Sequence, residues 1–90
     1  MTILEMMTAL EASHDLTVDQ EGSYYDVTVE DFEGFSSDWD EIERKITQPD
    51  LLNAFIKALD AQASYTSGRL YTTYYFDDFT IKLGYASYDI

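Results

Sequence analysis

Carboxylates are the side chains whose number and placement in this sequence point most directly to chemistry. Eighteen Asp and Glu stand against five Lys and Arg, which gives a formal net charge of −13. Residues 1–43 contain 13 of the acids and none of the bases, whereas residues 44–90 contain equal numbers of both. Ionised carboxylates accept hydrogen bonds and attract ammonium and guanidinium groups. The pattern therefore favours a basic partner and disfavours direct binding to nucleic acid or to anionic lipid.

One segment of this acidic half places two acids on the same side of a predicted strand. Asp26 and Glu30 alternate with Val27 and Val29, and Thr28 lies between the two acids on their side of the strand. Successive same-face residues along a strand lie about 7 Å apart. A row of carboxylates at such intervals resembles a row of phosphates. Acids that only confer solubility are the alternative interpretation. The predicted contact field, with Tyr24 and Trp39 as aromatic anchors, comprises Asp26, Glu30, Asp31, Glu33, Asp38, Asp40, Glu41 and Glu43.

Other residue types that carry chemistry are sparse. His14 is the sole histidine and stands at a predicted helix-to-strand junction, where stabilising the helix terminus is the more common role. The sequence contains no cysteine, which excludes thiolate ligands and cysteine nucleophiles. Asp38-x-Asp40 begins like a calcium loop, but Ile42 occupies the next ligand position. No phosphate-binding loop, dinucleotide motif or zinc spacing occurs. We therefore expect neither an enzyme nor a cofactor or metal site.

The elements that position the acids are predicted from caps and apolar periodicity. Thr2-x-x-Glu5 is a capping box that starts a helix over residues 2–13. Alternation from Leu16 to Val29, around a turn-like cluster at residues 19–22, predicts a β-hairpin whose second strand has one apolar and one acidic side. A second hairpin is predicted at residues 70–85, where two adjacent aspartates, Asp77 and Asp78, separate two alternating strands.

Helices are predicted between the two hairpins. Ser37 precedes a carboxylate-rich turn in which Trp39, Ile42 and Ile46 share one side, which favours a short helix. Thr47 is the predicted cap of a longer helix with proline in its first turn. Residues 64–68 are polar and predict a connector. The apolar face of the longer helix comprises Leu51, Leu52, Phe55, Ile56 and Leu59.

These elements predict an α+β fold. Two hairpins form an antiparallel sheet of about four strands, and the N-terminal helix and one or two central helices pack on one face. The length suits a single domain spanning residues 1–90. The sequence has neither a basic leader nor an apolar run near about 18 residues, so we expect a cytoplasmic protein. Eight tyrosines exceed what one core can bury, so some are expected on the outer sheet face.

In its small size, acidity, lack of cysteine and α+β build, the chain resembles small phage-encoded anti-defence proteins, namely DNA mimics of the anti-restriction type and anti-CRISPR proteins. The resemblance covers the general character of the whole chain and no sequence motif. It implies an inhibitor in the host bacterial cytoplasm that occupies the basic nucleic-acid-binding surface of another protein. A CRISPR effector, a restriction enzyme or a DNA-repair nuclease would be such a partner, with no direct nucleic acid and no membrane involved.

A second hypothesis is a small adaptor or self-associating subunit, including a homodimer. Its tyrosine-rich sheet face or an edge strand would pair with another chain, and the acids would be only its solvated side. Tyr74 and Tyr75 are the predicted contacts in that case. Charge reversal at Asp26 and Glu30 would abolish binding only under the inhibitor hypothesis.

Overall fold

Two helices and a five-stranded sheet make up most of the described chain. The computed structural model describes residues 1–30 and 46–86, together with the backbone of residues 32–33 and 43–44. In chain order the elements are α1 (Ile3–Ala12), β1 (Leu16–Glu21), β2 (Tyr24–Val29), β3 (Phe32–Glu33), β4 (Glu43–Arg44), α2 (Pro49–Gln62), β5 (Ser64–Ser67), β6 (Tyr71–Tyr75) and β7 (Thr80–Tyr85).

The main sheet has the strand order β1-β2-β7-β6-β5. Neighbours pair antiparallel except β2 and β7, which are parallel. The predicted α+β class is confirmed, but the sheet is mixed rather than antiparallel and has five strands rather than about four. Parallel pairing needs a long crossover, and the chain from β2 through α2, β5 and β6 provides it. The fifth strand is β5, which lies in the segment predicted to be a connector.

The predicted short helix after Ser37 is contradicted at its C-terminal end. Glu43 and Arg44 pair antiparallel with Glu33 and Phe32, so the backbone there is extended and does not continue a helix to Ile46. Residues 34–42 lie outside the described part of the chain. Within the described ranges, α2 is the one central helix.

The core lies between one face of the main sheet and the two helices. Apolar side chains recur at helical spacing in α1 and α2 and at every second residue in β1, β2 and β7, as the periodicity predicts. We call this sheet face the inner face and the opposite one the outer face. The buried apolar residues are Ile3, Met7, Leu10, Leu16, Val27, Val29, Leu52, Phe55, Leu59, Tyr74, Ile81 and Leu83.

Both ends of α1 are closed by local hydrogen bonds. The predicted capping box is confirmed: Thr2 N donates to Glu5 Oε1 (2.8 Å), and Glu5 N donates to Thr2 Oγ1 (3.1 Å). At the other end His14 has a positive φ of 66°. Its N–H donates to Glu11 O, and Asp15 N donates to Leu10 O (2.9 Å). These two bonds form a Schellman motif, in which the left-handed position is usually glycine.

The N-terminus of α2 is held by a carboxylate from elsewhere in the chain. Thr47 is not the cap: the N-cap is Gln48, whose side chain makes no capping bond. Instead, fully buried Asp15 accepts hydrogen bonds from Thr47 N (2.8 Å) and Gln48 N (2.9 Å) and from the Thr47 hydroxyl. Burial alone raises the pKa of Asp15, but the bonds from Thr47 and Gln48 outweigh it and lower the pKa below its usual range.

Within residues 1–30 and 46–86, no helix combines the length and apolar character needed to cross a membrane.

Candidate functional site

A tight turn sets the geometry of the acidic hairpin. Glu21 pairs with Tyr24, so the turn consists of two residues, Gly22 and Ser23. Gly22 has a φ of +62°, and Gln20 Nε2 donates to its carbonyl oxygen (3.0 Å). A glycine at the first position of a two-residue turn accepts this positive φ without strain. Residues 19–21, predicted to form the turn, therefore belong to β1.

This register gathers acids from both strands on the outer face. Asp19 lies directly opposite Asp26, and directly opposed residues in an antiparallel pair share one face. Glu21 and Glu30 follow on the same side because strand side chains alternate. We call Asp19, Glu21, Asp26 and Glu30 the acidic face. The predicted placement of Asp26 and Glu30 on one side of the hairpin is confirmed.

Glu30 is the most constrained of the four acids. It follows the end of β2, is partly buried, and its Oε2 accepts a hydrogen bond from Thr17 Oγ1 (2.7 Å). Its backbone N–H donates to Asp15 O (2.9 Å). These bonds orient the Glu30 carboxylate and use part of its acceptor capacity. Asp19 and Glu21 are exposed, and Asp26 is half-buried.

Among the described residues, one lysine lies next to the acidic face in the sheet. Lys82 of β7 is the parallel neighbour of Asp26. Its Nζ stands 4.3 Å from the centre of the Tyr71 ring, on the β6 side of β7. The ammonium group is therefore directed away from β1.

The Asp19–Asp26 pair destabilises the fold locally. Two like charges directly opposite each other destabilise a strand pair.

Tyr24 lies at the turn end of the acidic face. It is the first residue of β2, and 40% of its surface is exposed. Together with Asp19, Gln20, Glu21 and Asp26 it lines a depression of about 350 Å³. An exposed phenol beside carboxylates offers a rigid apolar surface with a polar tip. The depression can therefore receive a long cationic side chain whose stem packs against an aromatic ring.

The tyrosines of β6 divide between the two faces. Tyr74 is buried, and its hydroxyl donates to Asp60 Oδ1 of α2 (2.9 Å). Burial and this bond to a carboxylate raise the pKa of Tyr74. Tyr74 is thus a core residue and not the surface contact that the adaptor hypothesis predicts. Tyr71 and Tyr75 are exposed on the outer face, on the opposite side of β7 from the acidic hairpin.

The structure brings together three of the ten predicted contact residues: Tyr24, Asp26 and Glu30. Glu33 and Glu43 lie opposite each other in the β3–β4 backbone register. The other five predicted residues lie outside the described part of the chain: Asp31, Asp38, Trp39, Asp40 and Glu41.

Two members of the acidic face, Asp19 and Glu21, were absent from the predicted contact field. Their assignment to a turn hid them, because Asp, Gln and Gly are frequent in turns. The alternation of Leu16 and Val18 and the glycine at position 22 together fit a longer strand and a two-residue turn. This combination of strand alternation and turn glycine would have placed Asp19 and Glu21 on the strand.

The acidic face provides several hydrogen-bond acceptors for ammonium or guanidinium groups. In the described ranges, no three His, Asp or Glu side chains converge so as to hold a metal ion. The arrangement therefore suits an extended basic surface better than a single bound cation.

Comparison with known proteins reveals no match: no family model fits the chain, and no curated protein or solved structure is significantly similar to it.

Proposed function

We propose that the chain is an acidic inhibitor protein that mimics nucleic acid. Its acidic face binds the basic nucleic-acid-binding surface of another protein, such as a CRISPR effector or another nuclease, and blocks the entry of DNA or RNA. The observation that carries the proposal is the Asp19–Asp26 pair, flanked by Glu21 and Glu30 on the outer face of one hairpin.

The energetics of that pair support a binding role. Opposed like charges cost the fold roughly 0.5 kcal/mol, whereas alternating charges on the same strands would stabilise it. A surface that serves only solubility does not require acids to face each other. A basic partner removes the repulsion, because each carboxylate then gains an oppositely charged neighbour.

Charge and aromatic contact would act at different stages of binding. The −13 charge steers a basic partner towards the chain and accelerates encounter at low salt. Tyr24 then supplies contact area at the turn end of the acidic face. Aromatic residues commonly anchor protein interfaces. Salt weakens the first contribution much more than the second.

Affinity capture with matched baits tests this proposal. Wild type, Asp19→Lys and Glu11→Lys are immobilised and exposed to bacterial lysate at low and high salt, with and without duplex DNA, and bound proteins are identified. Both variants change the net charge equally, but Glu11 is an exposed residue of α1 and not a member of the acidic face. We expect wild type and Glu11→Lys to capture a basic nucleic-acid-binding protein. High salt and duplex DNA should each release this protein from both baits. Asp19→Lys should retain about a tenth as much.

Two results would contradict the proposal. One is equal capture by all three baits, which would show only non-specific adsorption to an acidic protein. The other is capture of partners indifferent to salt and DNA. Misfolding does not explain a loss in Asp19→Lys, because the new ammonium group faces Asp26 and relieves the repulsion. Its melting temperature should equal or exceed that of wild type.

A further inference from the structure

The two edges of the main sheet differ in their protection against pairing with another chain. The β1 edge carries Asp19 and Glu21, and charged residues on an edge strand discourage further strands. The β5 edge, Ser64–Ser67, has neither a charge nor a proline, and all four of its residues are exposed. No other strand among the described residues pairs with this side of β5, so the edge presents backbone donors and acceptors to a further strand.

The hydrogen-bond pattern shows which backbone groups of β5 point away from β6. Gly68 N donates to Tyr71 O (2.7 Å), so Gly68 and Tyr71 form a hydrogen-bonded pair at the end of the β5–β6 ladder. In an antiparallel ladder such pairs alternate with pairs whose backbone groups point away from the neighbouring strand. The N–H and C=O groups of Tyr65 and Ser67 therefore face outward.

We propose that β5 pairs antiparallel with β5 of a second copy of this chain, around a two-fold axis at Thr66. In this register Tyr65 lies opposite Ser67 of the second copy, and Thr66 lies opposite Thr66 of the second copy. The outward-facing groups then form about four backbone hydrogen bonds. The two sheets join into one continuous sheet with a closed two-fold interface.

The side chains of β5 suit this self-pairing. Opposed threonines on one sheet face are a favourable cross-strand pair. Tyr65 packs against Tyr74 of its own chain, with ring centres 5.5 Å apart, yet is 53% exposed. The small Ser67 of the second copy would lie beside it without a clash. The strand is thus self-complementary in both backbone and side chains.

The distribution of charge favours a second copy at this edge and not at the other. The acids of the acidic face lie on β1 and β2, and β2 is three strand spacings, about 14 Å, from β5. That separation exceeds the Debye length of about 8 Å at physiological ionic strength. Residues 44–90, which contain β5, have as many bases as acids. Two chains can therefore meet at β5 without bringing their acidic hairpins together.

Single cysteines test the register, because the natural sequence contains none. Opposed threonines that are not hydrogen-bonded to each other have Cα atoms about 4.5 Å apart, within the range that a disulfide spans. We expect Thr66→Cys to form a disulfide-linked dimer rapidly under mild oxidation. The matched control is Thr17→Cys, which is exposed on the outer face of the other edge strand. Equal or faster cross-linking of the control would overturn the proposal.

Sedimentation of the cysteine-free chain provides the second measurement. We expect a reversible dimer that Thr66→Lys weakens roughly tenfold, because two ammonium groups then face each other across the axis. Thr17→Lys, with the same change in charge, should leave the dimer intact. A wild-type chain that stays monomeric up to about 1 mM contradicts the proposal. The measurement needs no other protein, so its outcome is separate from that of the proposed inhibitory function.

Discussion

His14 shows how one residue can occupy a position that suits another residue type. The sequence places it at the end of the first helix, and the structure confirms this location. Its φ of 66° lies in the left-handed region, which costs a side chain with a Cβ roughly 1 kcal/mol compared with glycine. Since the imidazole is exposed, packing does not require histidine here.

Replacing His14 by glycine should therefore stabilise the protein. We expect His14→Gly to raise the free energy of unfolding by about 0.5–1 kcal/mol, because the strain disappears while the Schellman bonds remain. Urea unfolding measures the difference. His14→Ala, which removes the imidazole but keeps the Cβ, is the control and should give no such gain. If alanine stabilises the fold as much as glycine does, the backbone explanation is wrong.

At the scale of elements, Asp15 connects the end of α1, the start of β1 and the N-terminus of α2. The sequence suggested a local cap by Thr47, but the acceptor lies 32 residues earlier in the chain. Local patterns cannot reveal such a bond, because it exists only once the two segments are packed together. The carboxylate also offsets the partial positive charge at the start of α2.

Asp15→Asn should destabilise the fold by about 1–3 kcal/mol, because an amide replaces one acceptor oxygen by a donor facing backbone N–H groups. The loss should depend on pH. The folded pKa of Asp15 lies below 3.8, so its contribution is fully present above that value and is lost as pH falls through the folded pKa.

Urea unfolding of both proteins from pH 7 to pH 2.5 measures this dependence. Asp50→Asn serves as the control, because Asp50 is an exposed acid in the first turn of the same helix. A difference between wild type and Asp15→Asn that stays constant, or grows, as the pH falls would refute the role assigned to the buried carboxylate.

The strands show what the sequence could and could not predict. Strict alternation predicted both hairpins, and the paired aspartates at positions 77 and 78 correctly marked the second turn. The strand β5 was missed because all four of its residues are exposed and Tyr65 alone has a large apolar surface, so the strand carries no apolar alternation. The parallel pairing of β2 with β7 was missed because contacts between distant segments determine it, and local spacing does not.

For the candidate site, the sequence predicted acids on the hairpin. It did not predict the strand register that places Asp19 directly opposite Asp26. Alternation placed Asp26 and Glu30 on one side, which the structure confirms. The two-residue turn at Gly22 decides which acids of β1 join them. A turn one residue longer would change the register and move Asp19 away from Asp26. The strand composition thus predicts an acidic face, whereas the turn geometry determines its members.

At the scale of the whole molecule, the two halves of the chain contribute different surfaces. The N-terminal half supplies the acidic face, and the electrically balanced C-terminal half supplies the exposed edge. If both proposals hold, the joined sheet carries two acidic faces on one side. Seven strand spacings, about 34 Å along the sheet, separate their β2 strands. Such a dimer could engage two basic sites at once, which increases avidity without any new contact.

The proposed function requires that the chain and nucleic acid compete for one surface of the target. Displacement of labelled duplex DNA from the purified captured protein tests it most directly. We predict that the chain releases the DNA completely, that Asp19→Lys does so roughly tenfold less effectively, and that added salt weakens binding of both ligands. A stable complex containing the target, the DNA and the chain together would contradict the claim, because nucleic acid and its mimic cannot occupy the same site.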